Sequence, residues 1–248
     1  MRFSATMISA ALLTASTAIA SATIASTVLA AEQRDNRGIA FDAKAGADTA
    51  TNYIEMVRLD NKDPDARHNR GTKDQSKSDL NQIIVYYNTA IKRDPKDDDA
   101  YFHRGVANLY AGALPQALAD LGQAIKLDPT YAYYALWIDI VDRRGNAASR
   151  LAQTTAHVDM TKWPAPVIRL SLGDATSAAV LAAADDPDPK TKRGQVCEAN
   201  FYVGELALQQ GAREEAARRF RLAAADCPHD FVEGPSAISE LEALGGSQ

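Results

Sequence analysis

The chain has 248 residues, 46% of them apolar and 24% charged, with 27 Lys and Arg against 32 Asp and Glu. That balance belongs to a folded globular protein and excludes a wholly disordered one. A formal net charge of −5, with no run of Lys and Arg, gives the protein no electrostatic reason to seek nucleic acid or anionic lipid headgroups.

The first element in chain order stands apart from the rest. Arg2 is followed by an uncharged stretch from Phe3 to Ala31, rich in Ala, Ser and Thr, with Val28-Leu29-Ala30 just before the first acid, Glu32. Residues 1–30 are expected to be a secretory signal peptide, cut after Ala30, which places the mature protein in the periplasm. An uncleaved membrane anchor is the alternative, because the charge-free run is long enough to span a bilayer. The many hydroxyl side chains make a poor spanning helix, so no membrane insertion is expected after cleavage. Loss of Arg2 leaves a net charge of −6.

Residues 31–160 carry a 34-residue echo. Asp65, Ala66, Arg70 and Gly71 return as Asp99, Ala100, Arg104 and Gly105; Ala90, Ile91, Lys92, Asp94 and Pro95 return as Ala124, Ile125, Lys126, Asp128 and Pro129. Self-similarity at this length marks a two-helix unit that must stack on its neighbours to bury its apolar face. In the unit 98–131, Gly105 and Ala117 let the two helices approach closely while Tyr101 and Leu121 fill the space beside them. Asp97, Asp98 and Asp99 cap the first helix, Pro115 suits the first turn of the second, and Pro129 ends it. The unit 64–97 keeps Gly71, Tyr87, Ala90 and Pro95, but Thr72 to Leu80 has lost the apolar pattern and predicts a frayed end to its first helix. An earlier copy is marked by Tyr53, Val57 and Asp60, with Gly38 one residue out of step.

Beyond Tyr131 the pattern loosens. Ala132 to Arg144 and Ala147 to Asp159 predict two helices of a degenerate hairpin that lacks the glycine. Residues 161–196 predict an irregular connector: Trp163-Pro164-Ala165-Pro166 breaks the chain, 167–172 and 175–184 are short helices, and 185–189 is an Asp/Pro linker. From Cys197 a good unit returns with Gly204, Ala216, Phe220, Ala223 and Pro228, and a final helix from Ser236 to Leu244 is short enough to cap the last exposed apolar face.

The aromatic, small, small, bulky, small, proline order of 98–131 resembles the tetratricopeptide (TPR) repeat, and implies an all-α, right-handed helical-hairpin solenoid. The sequence of hairpins followed by Trp163-Pro164-Ala165-Pro166-Val167-Ile168, Cys197-Glu198-Ala199-Asn200-Phe201-Tyr202 and Cys227-Pro228-His229-Asp230-Phe231 is similar to the NlpI-like periplasmic TPR proteins, over roughly the whole mature chain. That family contains outer-membrane lipoproteins that act as dimeric adaptors, bringing cell-wall hydrolases to a protease. No cysteine precedes Cys197, so the acylated cysteine of the anchored members has no counterpart here.

A search for chemistry finds little. His68, His103, His157 and His229 do not pair at a metal-binding spacing, and no nucleophile elbow or phosphate-cradling loop occurs, so no catalytic set, metal or cofactor is expected. Cys197 and Cys227 fall at the start and exit of one antiparallel hairpin and predict a disulfide. By the TPR resemblance the concave face would be lined by Asp65, His68, Thr72 and Gln75, then Asp99, Phe102, Val106 and Leu109, then Tyr133, Leu136, Ile140 and Arg143. This set turns from polar to apolar and suits an amphipathic or extended apolar segment of a partner protein. The chain's own helices, or a second copy forming a homodimer, could cover the same residues. The reading is a scaffold or adaptor for protein or peptide partners in the bacterial envelope, including a protease or peptidoglycan hydrolase. A fixed subunit of an envelope or secretion assembly is the alternative, and an enzyme the third.

Overall fold

A computed structural model describes residues 73–228 and 230–245. The expected signal peptide, the repeat copies before residue 73, and Asp65, His68, Thr72 and His229 lie outside the described residues, as does the side chain of Gln75. The described residues form ten helices and no strand. In chain order they are α1 (Lys73–Arg93), α2 (Asp98–Tyr110), α3 (Leu114–Leu127), α4 (Ala132–Arg144), α5 (Leu151–Thr154), α6 (Ala165–Leu172), α7 (Ser177–Ala183), α8 (Pro189–Gln209), α9 (Arg213–Asp226) and α10 (Glu233–Gly245).

Sequence neighbours pack together, and two hairpins, α2–α3 and α8–α9, repeat one geometry at a spacing of 99 residues. A Cβ built on Gly105 would stand 2.9 Å from Leu121 Cγ, and one on Gly204 only 2.7 Å from a Phe220 ring carbon. Leu121 and Phe220 are fully buried, as are Ala117, Ala124, Ala216 and Ala223 beside them. Glycine on the first helix thus lets a bulky residue of the second close against its backbone. Asp97 caps α2, its side chain accepting from the Ala100 N–H at 2.9 Å.

Four helices end in the same turn. Gly112, Asn146, Gly173 and Gly211 have φ of 79°, 53°, 86° and 75°. The N–H of each following residue donates to a carbonyl five residues back: Ala113 to Asn108, Ala147 to Asp142, Asp174 to Arg169 and Ala212 to Ala207, at 2.7–2.9 Å. The third unit therefore keeps its turn without a glycine, because Asn146 tolerates the left-handed conformation.

Three expectations need correction. Lys73–Arg93 is one continuous helix rather than a frayed end and a new start; it contains neither Gly nor Pro, so its polar composition alone does not end it. The helix expected over 147–159 shrinks to Leu151–Thr154. Here Thr154 and Thr155 turn their hydroxyls onto the carbonyls of Arg150 and Leu151, at 3.1 and 2.7 Å, and compete with helical pairing. Finally, α8 begins at Pro189, so the connector ends at Asp188. Asp188 caps the helix through the Thr191 N–H at 2.8 Å, with Pro189 at the first helical position.

The extra two turns of α8 run past the end of α9. Arg193 Nε donates to the Asp226 carbonyl at 2.9 Å, and Gly194 lies under the Phe231 ring. Cys197 and Cys227 stand at disulfide distance, with Cα atoms 4.8 Å apart and a sequence separation of 30. Closing a loop of that length is worth about 3–4 kcal/mol. Reduction under native conditions should lower the urea midpoint accordingly, and two reactive thiols in the unfolded, unreduced chain would refute the pairing.

Candidate functional site

The residues expected to form an open apolar groove are interior. Phe102, Val106, Leu109, Leu136 and Ile140 are all buried. Phe102 packs against Tyr134 and Trp137, with ring centroids 5.3 and 6.1 Å apart, and Trp137 stacks on Phe201 of α8 at 5.5 Å. Tyr133 meets Glu198 and Arg144 meets Glu205, so residue numbers rise together on the two helices and α4 and α8 run parallel. The chain thus covers the apolar part of its own face with an aromatic layer. Sequence periodicity marks such residues as apolar on one helix face but does not say which helix covers them.

Beside this layer, the described residues leave an opening. Leu136, Ile140 and Arg143 of α4, Ser171 of α6, and Tyr202, Glu205, Leu206, Leu208 and Gln209 of α8 line a cleft of about 120 Å³, with Asp139 and Arg144 at its walls. Its charges are internally matched. Arg143 pairs with Asp139 at 2.8 Å, donates to the Ser171 carbonyl at 2.6 Å and reaches Gln209. Arg144 bonds Glu205 at 2.9 Å and Glu240 of α10, and lies 5.5 Å from the Tyr110 ring centroid of α2. The cleft therefore offers aliphatic surface with no unmatched charge, suited to an apolar side chain.

A second cluster was not singled out from sequence. Glu198 and Glu233 are 2% and 3% exposed. Glu198 accepts from the Tyr133 hydroxyl at 2.7 Å and from the Trp163 indole at 2.5 Å; Glu233 accepts from the Tyr202 hydroxyl at 3.1 Å. Burial, and then the neighbouring charge of Glu233, push Glu198 up to about pH 8. Burial pushes Glu233 up to about 7. Burial raises Glu205 to about 7 as well, against the pull of Arg144. A signal did exist: Glu198 and Glu205 on α8, and Glu233 and Glu240 on α10, share a seven-residue spacing that keeps each pair on one helix face. Paired carboxyls are the means of acid–base catalysis, but this burial keeps them from a substrate.

Among the described residues no cluster of His, Cys, Asp and Glu has the makings of a metal site. No described helix is long and apolar enough to cross a membrane. No family model matches the chain.

Proposed function

We propose that the protein is an exported, TPR-like solenoid that serves as an adaptor for other proteins of the bacterial envelope, a protease or peptidoglycan hydrolase among them. The observation that carries this reading is the cleft between α4 and α8, which has the size and lining to take one aliphatic or aromatic side chain of a partner segment. The stacked hairpins support it, since units of this kind build continuous binding faces. The uncharged segment before Glu32 and the paired cysteines support export into an oxidising compartment.

Leu206 is half-buried at the cleft and tests the reading directly. Crosslinking in periplasm, followed by affinity capture and mass spectrometry, should recover a protein partner with the wild-type chain and lose it with Leu206→Lys. The thermal midpoint should move little, because a half-buried rim residue leaves no large cavity. Equal capture by both chains would remove the cleft from the binding face.

A further inference from the structure

The cleft between α4 and α8 has a direction. Leu136, Ile140 and Arg143 follow one another along one face of α4 at spacings of four and three residues, and Tyr202, Leu206 and Gln209 do the same on α8. The two helices run parallel, so the contact of Arg143 with Gln209 bridges the C-terminal end of the cleft. Buried Leu136 and Ile140 form its floor, and half-buried Leu206 and Leu208 stand at its rim.

That bridge holds the Arg143 guanidinium in one plane. Its Nη1 donates to the Gln209 side chain of α8 and its Nη2 to the Ser171 carbonyl of α6 at 2.6 Å, while Nε stands 2.8 Å from the Asp139 carboxylate of its own helix. A guanidinium donates within its own plane, so acceptors on α6 and α8 occupy its edge and leave its flat faces uncommitted. The side chain is 21% exposed, so it is not sealed inside the protein. On the opposite wall Glu205 accepts from Arg144 at 2.9 and 3.1 Å and remains 13% exposed.

The cleft thus combines a cationic plane, a carboxylate and an aliphatic floor. An aliphatic side chain answers only the last of these. An aromatic ring carries a negative face and a positive edge, and so complements all three. Volume selects among the rings: an apolar cavity of about 150 Å³ takes up benzene, and this cleft, at about 120 Å³ with an open mouth, is of the same order. A single six-membered ring fits it and a fused indole does not. Because the polar walls are already paired, a phenol hydroxyl carried in with the ring would find no partner.

We propose that the cleft recognises a phenylalanine of the partner segment, its ring lying over Ile140 and Leu206 with one face on the Arg143 guanidinium. This rests on the adaptor reading and adds to it what the partner presents.

Three small probes separate the contributions: N-acetyl-phenylalanine amide, N-acetyl-cyclohexylalanine amide and N-acetyl-leucine amide. The cyclohexyl ring matches the phenyl ring in size but has no negative face. Titrated into the intact, methyl-labelled protein, the phenylalanine amide should shift the methyl resonances of Leu136, Ile140 and Leu206 and bind more tightly than either of the others. Arg143→Met should reduce its preference over the cyclohexylalanine amide about two- to fivefold. If the wild-type chain binds the cyclohexylalanine or leucine amide as tightly at the same methyls, the phenylalanine assignment is overturned while the cleft stands as a binding site. That comparison does not depend on the variant folding. A folded variant that keeps the full preference overturns the role of Arg143. If no probe moves these methyls, the cleft reading falls and the inference falls with it.

Discussion

Replacing Arg144 by methionine is expected to destabilise the protein by about 3–5 kcal/mol, because it leaves Glu240 buried without its cation and removes the donor that Glu205 accepts from. Glu240 is 3% exposed and has no water to turn to. Removing all three charges is a different experiment. Arg144→Met combined with Glu205→Leu and Glu240→Met should recover most of the loss, since apolar groups of similar volume avoid the desolvation of an ion pair. Chemical denaturation of the single and triple variants tests this; equal destabilisation of both would show that packing around Arg144, and not its charge, holds α4, α8 and α10 together.

Thermal stability should be higher near pH 5 than at pH 8.5. In the folded chain Glu198, Glu205 and Glu233 keep their protons up to about pH 8, 7 and 7, against 4.5 for an ordinary glutamate. Above that ordinary value the folded state binds more protons than the unfolded one, so stability falls as the pH climbs through the raised values. His103 works in the opposite direction. Burial lowers it from 6.5 to about 4, so the stability it lends is present above 6.5 and is lost on acidification toward 4. Three carboxyls outweigh one imidazole until the carboxyls are protonated in both states, below about pH 4.5, so stability already falls as the pH rises through 5. After the opposing contribution of His103, the loss by pH 8.5 is on the order of 7 kcal/mol, or roughly 15–25 °C in the melting temperature. A melting temperature that is level or rises across this range would contradict the assignment of protons to these residues.

The parts of the architecture that depend on neighbouring residues were legible in the sequence. Gly105 with Leu121, and Gly204 with Phe220, could be read as close helix contacts because each pairing lies within one hairpin. The helix Ala132–Arg144 was legible as well, from its own apolar run, and so was the cysteine pair, since a hairpin brings its two ends together. What could not be read depends on partners distant in the chain. The apolar faces of α2 and α4 could be covered by the chain's own helices, a second copy or a partner, and nothing local to Phe102 or Trp137 announces Phe201 as part of that cover. The burial of Glu198 and Glu233 has no local mark for the same reason: burial of a carboxyl is a property of what packs around it. Of the expected groove, Leu136, Ile140 and Arg143 still reach the open cleft, whereas Phe102, Val106 and Leu109 do not line it.

The two matching hairpins carry a lesson about length. They are spaced by 99 residues, three short of three whole 34-residue periods, yet Gly112 and Gly211 make the same turn and Gly105 and Gly204 admit the same kind of neighbour. The shortfall must therefore be absorbed between them, in α5, α6, α7 and the joints that link these short helices. This middle stretch is the chain's expansion joint. Insertions and deletions there leave the register inside either hairpin intact, whereas the same change within α2–α3 or α8–α9 would pull a glycine away from the side chain it was placed to admit.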